Sequence, residues 1–130
     1  MGKECGMEEL SKIMKALADI NRIRILKMLE GNKLCVCELA YVLGITQPSV
    51  SRHLKKLKNA GIIKNEHEGF WTNYYINPDN GYSKALLGKL EQWANSDEIV
   101  LSDRAKIKKA DRNKLCCQRT TPQAGKKRCQ

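Results

Sequence analysis

A glycine-centred turn between two amphipathic segments constrains the fold of this chain more than any other feature. Gly44 permits a tight turn after a short helix that we expect to begin near Cys35. Thr46 is suited to cap the following helix, and Pro48 fits its first turn, where no backbone N–H is needed. That following helix is predicted over residues 47–60, and two helices joined by so short a turn form a helix-turn-helix. Its inner face would be formed by Val50, Leu54 and Leu57.

The segments on either side of this motif predict three more helices and a hairpin. Apolar residues at helical spacing predict a first helix over residues 7–18, and Asp19 is suited to cap a second one. Two strands are predicted over residues 62–66 and 70–76, and residues 77–79 break the chain and cap a fifth helix. The inner stripe of the second helix would be Ile20, Ile23, Leu26 and Leu29. The predicted fold class is therefore mainly α with a two-stranded β-wing, a winged helix-turn-helix.

The net charge of +10 is concentrated towards the C-terminal end. Residues 1–100 carry 14 Lys+Arg and 12 Asp+Glu, a balance of +2, whereas residues 101–130 carry 10 and 2, a balance of +8. Residues 103–115 are suited to a basic helix, and the composition from Arg119 onward predicts disorder. Because most of the excess charge lies outside the helix-turn-helix, local charge patterns are better evidence for a polyanionic partner than the overall charge.

The helix that follows the turn carries a local pattern of this kind. Between residues 46 and 65 the chain holds five Lys and Arg side chains and no acidic one. Gln and Arg can form paired hydrogen bonds with base edges, and Ser and Lys suit bases or phosphates, so we interpret this face as a contact surface for double-stranded DNA. His53 lies at the edge of the inner stripe, where a structural hydrogen bond competes with that role. Weaker wing contacts are expected from His67, Trp71 and Asn73, and Trp71 is equally suited to packing. The predicted DNA-binding residues are Gln47, Ser49, Ser51, Arg52, His53, Lys55, Lys56 and Lys64.

Two of the six cysteines, Cys35 and Cys37, lie one residue apart just ahead of the turn. The sequence shows no signal peptide and no membrane-spanning stretch, so we expect a cytoplasmic protein without membrane association, in which cysteines are more often thiols than disulfides. A soft ion held by this pair would act directly on the recognition helix. Residues i and i+2 of a regular helix point about 200° apart, so we expect the helix start to unwind if both bind one ion. The alternative is that both are small buried hydrophobic residues.

The helices and the wing resemble the ArsR/SmtB family, whose members are homodimeric repressors that leave operator DNA when a metal ion or metalloid binds. The resemblance covers roughly residues 7–96 and implies a homodimer formed through the first and last helices, with operator DNA as partner. On this basis residues 1–98 form a DNA-binding and dimerisation domain, and residues 99–130 form a basic, cysteine-containing, partly disordered tail. The segments that carry the resemblance are Leu-Ala-Asp at 17–19, Arg22, residues 25–29, Cys-Val-Cys-Glu-Leu at 35–39, Gln-Pro-Ser-Val-Ser-Arg-His-Leu at 47–54 and residues 57–61.

In the arsenic-sensing branch of that family the third helix begins Cys-Val-Cys and carries another cysteine three residues later. Cys35 and Cys37 are present here, but Ala40 stands at the third position. Trivalent arsenic and antimony are usually held by three thiolates, so the resemblance implies a third ligand elsewhere. Residues 79–98 contain no His, so the last-helix site of zinc, nickel and cobalt sensors of the family is absent. The available thiols are Cys116 and Cys117, an adjacent pair in the tail, Cys5 and Cys129.

We therefore expect a transcriptional repressor of the arsenic-resistance type that requires no cofactor and is released from DNA by As(III) or Sb(III). Cadmium or lead sensing and a thiol-redox switch remain alternatives, although the cadmium branch usually supplies four thiolates. An enzyme of thiol–disulfide exchange is not favoured, because no βαβ pattern accompanies the cysteines. A metalloid carrier is disfavoured by the basic recognition helix.

Overall fold

Six α-helices and a three-stranded sheet make up the part of the chain that the structure describes. The structure is a computed structural model that describes residues 6–117, with side chains up to residue 115. Helices and strands follow one another as α1 (Met7–Leu17), α2 (Ile20–Leu29), β1 (Leu34–Cys35), α3 (Val36–Leu43), α4 (Gln47–Asn59), β2 (Ile63–Glu68), β3 (Trp71–Ile76), α5 (Gly81–Gln92) and α6 (Glu98–Lys109), before a π-helical turn, Asn113–Cys117, that we name the C-terminal turn. No helix in the described range is both long and apolar enough to cross a membrane.

The helix-turn-helix is formed by α3 and α4 and follows the predicted turn chemistry. Gly44 has a φ of +72°, a left-handed conformation that favours glycine, and its N–H donates to the carbonyl of Ala40 at 2.9 Å. The hydroxyl of Thr46 accepts the backbone N–H of Ser49 at 3.2 Å, so it caps α4 as predicted. Asp19 likewise caps α2, and the mainly α fold with a β-wing is confirmed.

The sheet contains one strand that the sequence did not predict. Its order is β1-β3-β2, with all neighbours antiparallel, and the hairpin register runs from Ile63 opposite Ile76 to Glu68 opposite Trp71. The added strand β1 has two residues and places Cys35 opposite Asn73. Pairing this short segment with β3 joins the first cysteine directly to the wing.

Within the aliphatic core, two residues of α2 depart from the predicted pattern. Ile20 was expected on the inner stripe but is 72% exposed, because it stands at the first position of the helix. Lys27 is buried instead, and its ammonium group donates to the carbonyls of Leu90 at 2.7 Å and Trp93 at 2.8 Å. These bonds satisfy the end of α5, where helix carbonyls lack partners. The cap of α5 also differs from expectation: Asn80, one residue beyond the predicted break, caps the helix.

A basic helix was predicted over residues 103–115; the observed helix, α6, begins five residues earlier and ends six residues earlier, and it packs against α2 and α3. Its attachment uses the buried carboxylate of Asp103, which accepts two hydrogen bonds of 2.8 Å from the guanidinium of Arg24. Arg104 also donates to Glu30 at 2.6 Å. The predicted disorder from Arg119 onward lies outside the described residues.

Candidate functional site: a recognition helix and a buried thiol pair

The solvent-facing side of α4 carries most of the residues predicted to contact DNA. Ser51, Arg52, Lys55 and Lys56 are exposed, and Gln47 and Ser49 are half-buried. The opposite face of the helix, with Val50, Leu54 and Leu57, is at most 1% exposed and anchors α4 to the core. The helix therefore presents a cationic and polar surface on a rigid support.

Two of the predicted DNA contacts are held by other side chains of the protein. The Nε of Arg22 donates to the Nδ1 of His53 at 3.2 Å, and its Nη1 donates to the carbonyl of Lys15 at 3.1 Å. His53 therefore fastens α4 to the end of α1 through Arg22. At the wing, the ammonium group of Lys64 forms an ion pair with Asp79. Each side chain therefore has a protein partner that competes with DNA for one of its hydrogen bonds.

The two cysteines ahead of the helix-turn-helix bring their sulfur atoms together. Cys35 and Cys37 are 0% and 2% exposed, and their Sγ atoms lie 2.9 Å apart. The expectation that the helix start unwinds assumed that both cysteines lie in one regular helix, and the structure does not meet that premise. Cys35 precedes the helix in an extended conformation, with φ −98° and ψ 169°, and only Cys37 lies within α3. The 200° separation of a regular helix therefore does not apply to this pair.

The chemistry of this pair is set by burial and by Glu38. The backbone N–H of Cys35 donates to Oε1 of Glu38 at 2.9 Å, which satisfies a free donor at the start of α3. Burial raises the pKa of the Cys35 thiol to about 11; the nearby Glu38 carboxylate has mixed effects, and Arg112 lowers it. Cys35 is therefore an uncharged thiol at neutral pH. We therefore expect it to react slowly with alkylating reagents, which attack through the thiolate.

Four residues that sequence reasoning did not assign to the thiol pair surround it. Trp71 and Leu115 pack against the two cysteines, although Trp71 was considered as a wing contact with DNA. Asn73, also considered for the wing surface, is 2% exposed. Arg112 donates to Asn73 at 2.7 Å and lies 4.8 Å above the Trp71 ring. Trp71 and Asn73 lie on the cysteine side of the sheet because side chains alternate along β3 and β3 pairs with β1. The sequence signal for this was that Trp71 is equally suited to packing.

The third ligand is not fixed by the described side chains. No cluster of three or more His, Cys, Asp or Glu residues suited to a metal ion occurs among them. Cys5 and Cys129 lie outside the described residues, and the side chains of Cys116 and Cys117 do as well. The C-terminal turn that contains the backbone of the latter two contacts α3. Cys35 is a free thiol, whereas Cys37 forms a disulfide bond, so the expectation of thiols rather than disulfides is wrong for Cys37.

Comparison with known sequences gives a consistent set of relatives. A family profile described as "Bacterial regulatory protein, arsR family" matches residues 19–65. The arsenic resistance transcriptional regulator ArsR1 of Pseudomonas putida is 33% identical over 97 residues, which cover 70% of this chain and 76% of that protein. The arsenical resistance operon repressor of Escherichia coli is 38% identical, with 68% and 76% covered. A cadmium resistance regulatory protein, the CadC homolog of Staphylococcus aureus, is 37% identical, with 62% and 66% covered.

Solved structures agree with these relatives in fold. HlyU from Vibrio cholerae is 28% identical, with a TM-score of 0.60, and the match covers 71% of this chain and 98% of HlyU. A winged helix-turn-helix domain from Mycobacterium bovis, described as homodimeric, is 24% identical with a TM-score of 0.59, covering 69% of this chain and 82% of that domain. The second likeness supports the fold alone.

Proposed function

Because the chain belongs to the arsR family of bacterial regulatory proteins, we propose that As(III) or Sb(III) bound by Cys35 and Cys37 releases it from operator DNA. The chain is a DNA-binding transcriptional repressor of that family; the ligand and the residues that bind it are our proposal. The observation that carries the proposal is the 2.9 Å separation of two buried sulfurs at the first turn of α3. The next helix along the chain is the recognition helix.

The third thiolate is proposed to come from Cys116 or Cys117. Leu115 packs against the thiol pair, and the C-terminal turn contacts α3, so the chain around these two cysteines lies beside the pair. Cys5 is the competing donor. Cys116→Ser, Cys117→Ser and Cys5→Ser variants distinguish the three.

A metalloid suits this donor set better than a divalent cation. Three thiolates around a pyramidal As(III) or Sb(III) leave no net charge on the centre, whereas Cd²⁺ or Pb²⁺ with three thiolates leaves a negative charge in a buried site beside the carboxylate of Glu38. Trp71 and Leu115 pack against the two cysteines, and Arg112 is the cation that would offset such a charge. The likeness to a cadmium resistance protein makes cadmium or lead the main competing ligands.

Operator binding is proposed to use the exposed face of α4 in a homodimer. Two copies would place two recognition helices on successive major-groove faces, as a palindromic operator requires. The proposed dimer surface is α1 with α5, which contact each other and leave apolar side chains uncovered. Met7, Met14 and Trp93 are 85%, 49% and 56% exposed.

The test is operator affinity, measured by fluorescence anisotropy with and without arsenite under reducing conditions. We expect arsenite to weaken binding of the wild type by roughly 5–150-fold, the usual range for allosteric coupling. Cys37→Ser should bind the operator normally without arsenite and lose the response. An unchanged wild-type affinity, or a full response in Cys37→Ser, contradicts the proposal. Release by cadmium alone, or by peroxide without any metal, assigns the site to the competing metal or to redox sensing.

A further inference from the structure

One arginine beyond α6 connects the thiol pair, α3 and the wing. Its Nη2 donates to Oδ1 of Asn73 at 2.7 Å and to Oε1 of Glu38 at 3.3 Å. Its guanidinium carbon lies 4.8 Å from the centre of the Trp71 ring, within the range of a cation–π contact. This residue, Arg112, is 20% exposed in its side chain, so these contacts are only weakly screened by water.

Three of the four described partners of Arg112 also contact the cysteine pair or its backbone. Glu38 accepts the N–H of Cys35, Asn73 stands opposite Cys35 in the sheet, and Trp71 packs against the pair. The fourth, Glu68, forms an ion pair with Nη1 at 3.6 Å. A displacement of the cysteines therefore moves the first three partners of the guanidinium. Two of the partners belong to β3, the central strand of the sheet and one arm of the wing.

We infer that Arg112 is a positioning residue that couples occupancy of the thiol pair to the wing, and thereby to operator affinity. The inference rests on the proposed function and names a residue that transmits its signal. Arg112 stands three residues before Leu115, which packs on the cysteines, so an ion that draws the C-terminal turn towards Cys37 shifts the arginine along β3. A planar guanidinium suits this role because it can stack on an indole and donate to two acceptors at once.

The experiment compares Arg112→Ala and Arg112→Lys with Arg104→Ala. Arg104 is the control: it is an arginine within α6 that also donates to a carboxylate, that of Glu30, away from the thiol pair. A Trp93→Phe background keeps an aromatic ring on the proposed dimer surface and leaves Trp71 as the sole tryptophan, since the chain has two; its operator affinity is compared with that of the wild type first. Arsenite binding is then read from Trp71 emission, and coupling is read from the ratio of operator affinities without and with arsenite.

In Arg112→Ala we expect arsenite to bind with unchanged stoichiometry while the affinity ratio falls by roughly 2–30-fold. The affinity ratio of Arg112→Lys should lie between those of the wild type and Arg112→Ala, because lysine keeps the charge but loses the stacking and the planar pair of donors. Arg104→Ala should keep the wild-type ratio. A wild-type ratio in Arg112→Ala, or a loss of arsenite binding in that variant, overturns the inference and leaves the proposed function intact. If the wild type binds the operator equally well without and with arsenite, the proposed function is wrong, and so is the coupling role of Arg112.

A second observation concerns an open cleft of about 380 Å³ between α1 and the C-terminal half of α4. Four cationic side chains line it, and no acidic residue is among its described lining. Lys56 belongs both to this cleft and to the exposed face of α4, so the cleft continues the proposed DNA surface. Its cationic residues are Lys12, Lys15, Arg22 and Lys56.

We propose that this cleft binds a backbone phosphate of DNA beside the operator bases read by α4. A phosphate contact contributes affinity without sequence preference and makes it depend on salt. Lys12→Gln and Lys15→Gln should each lower the slope of log affinity against log salt by about 1. Lys109→Gln, an exposed lysine on α6, is the control of equal charge and should have little effect. If the Lys12→Gln and Lys15→Gln slopes equal that of Lys109→Gln, the cleft does not bind a DNA phosphate. If Arg52→Ala also leaves operator affinity unchanged, the α4 surface itself is wrong.

Discussion

Arsenite affinity should be nearly independent of pH between about pH 6 and pH 8, whereas cadmium affinity should rise with pH. Arsenous acid is neutral in this range and brings three hydroxides. Each hydroxide leaves as water with one thiol proton, so three thiols and As(OH)₃ give As(SR)₃ and three waters, with no net proton released. Cd²⁺ has no hydroxide to remove the protons, so each thiol that binds it must release one to solvent.

The size of the difference between the two pH dependences follows from the pKa of the Cys35 thiol. Burial raises the pKa of its thiol to about 11, about four units above pH 7. At about 1.36 kcal/mol per unit, ionising this thiol at pH 7 costs about 5 kcal/mol. The charged groups facing it are Glu38, with mixed effects on that pKa, and Arg112, which lowers it. Cadmium affinity should therefore rise about tenfold per pH unit for the proton of Cys35 alone, throughout the range below its pKa.

Titration of both ions at three pH values, under reducing conditions and in the Trp93→Phe background, measures this directly through Trp71 emission. Cys35→Ser is the control: it should remove one proton from the cadmium slope. An arsenite affinity that rises tenfold per pH unit would refute the reasoning, and so would a cadmium affinity that does not change with pH.

Two further predictions concern the recognition helix and the attachment of α6. Arg52→Ala should weaken operator binding by roughly 5–150-fold, as expected for loss of one base contact, while arsenite binding measured by Trp71 emission stays unchanged; loss of arsenite binding would contradict separate sites. Asp103→Ala should lower the free energy of unfolding by about 2–3 kcal/mol in urea denaturation, because it leaves the partly buried guanidinium of Arg24 without its carboxylate. Glu66→Ala, which breaks an exposed pair with Lys33, is the control and should cost much less. Equal losses in the two variants would show that burial does not set the strength of the Asp103 pair.

The helix-turn-helix could be predicted because its signals are local. The conformation of Gly44 and the cap by Thr46 depend on a few neighbouring residues and on the spacing of the inner stripe of α4. The start of α3 was harder, because the conformation of Cys35 is set by β1, a two-residue strand whose partner lies 38 positions further along the chain. That pairing is what brings the two sulfurs together without unwinding the helix.

The surroundings of the thiol pair could not be read from the sequence for a similar reason. Trp71 and Asn73 alternate on β3 with residues of the wing surface, and only the pairing of β3 with β1 shows which side faces the cysteines. Arg112 reaches the pair because α6 is fixed by Asp103 and Arg24, 79 residues apart. Neither the pairing of β3 with β1 nor the approach of Arg112 leaves a repeating pattern in the sequence, because both bring together segments that are far apart along the chain.

X-ray absorption at the arsenic edge of the arsenite complex is the most direct test of the central claim. We predict three sulfur neighbours around arsenic in the wild type. We expect fewer in Cys35→Ser and in Cys37→Ser, and the same loss in whichever of Cys116→Ser or Cys117→Ser removes the third ligand. An arsenic atom surrounded by oxygen in the wild type, or three sulfurs retained when Cys35 and Cys37 are both replaced, would contradict binding of arsenic by this thiol pair.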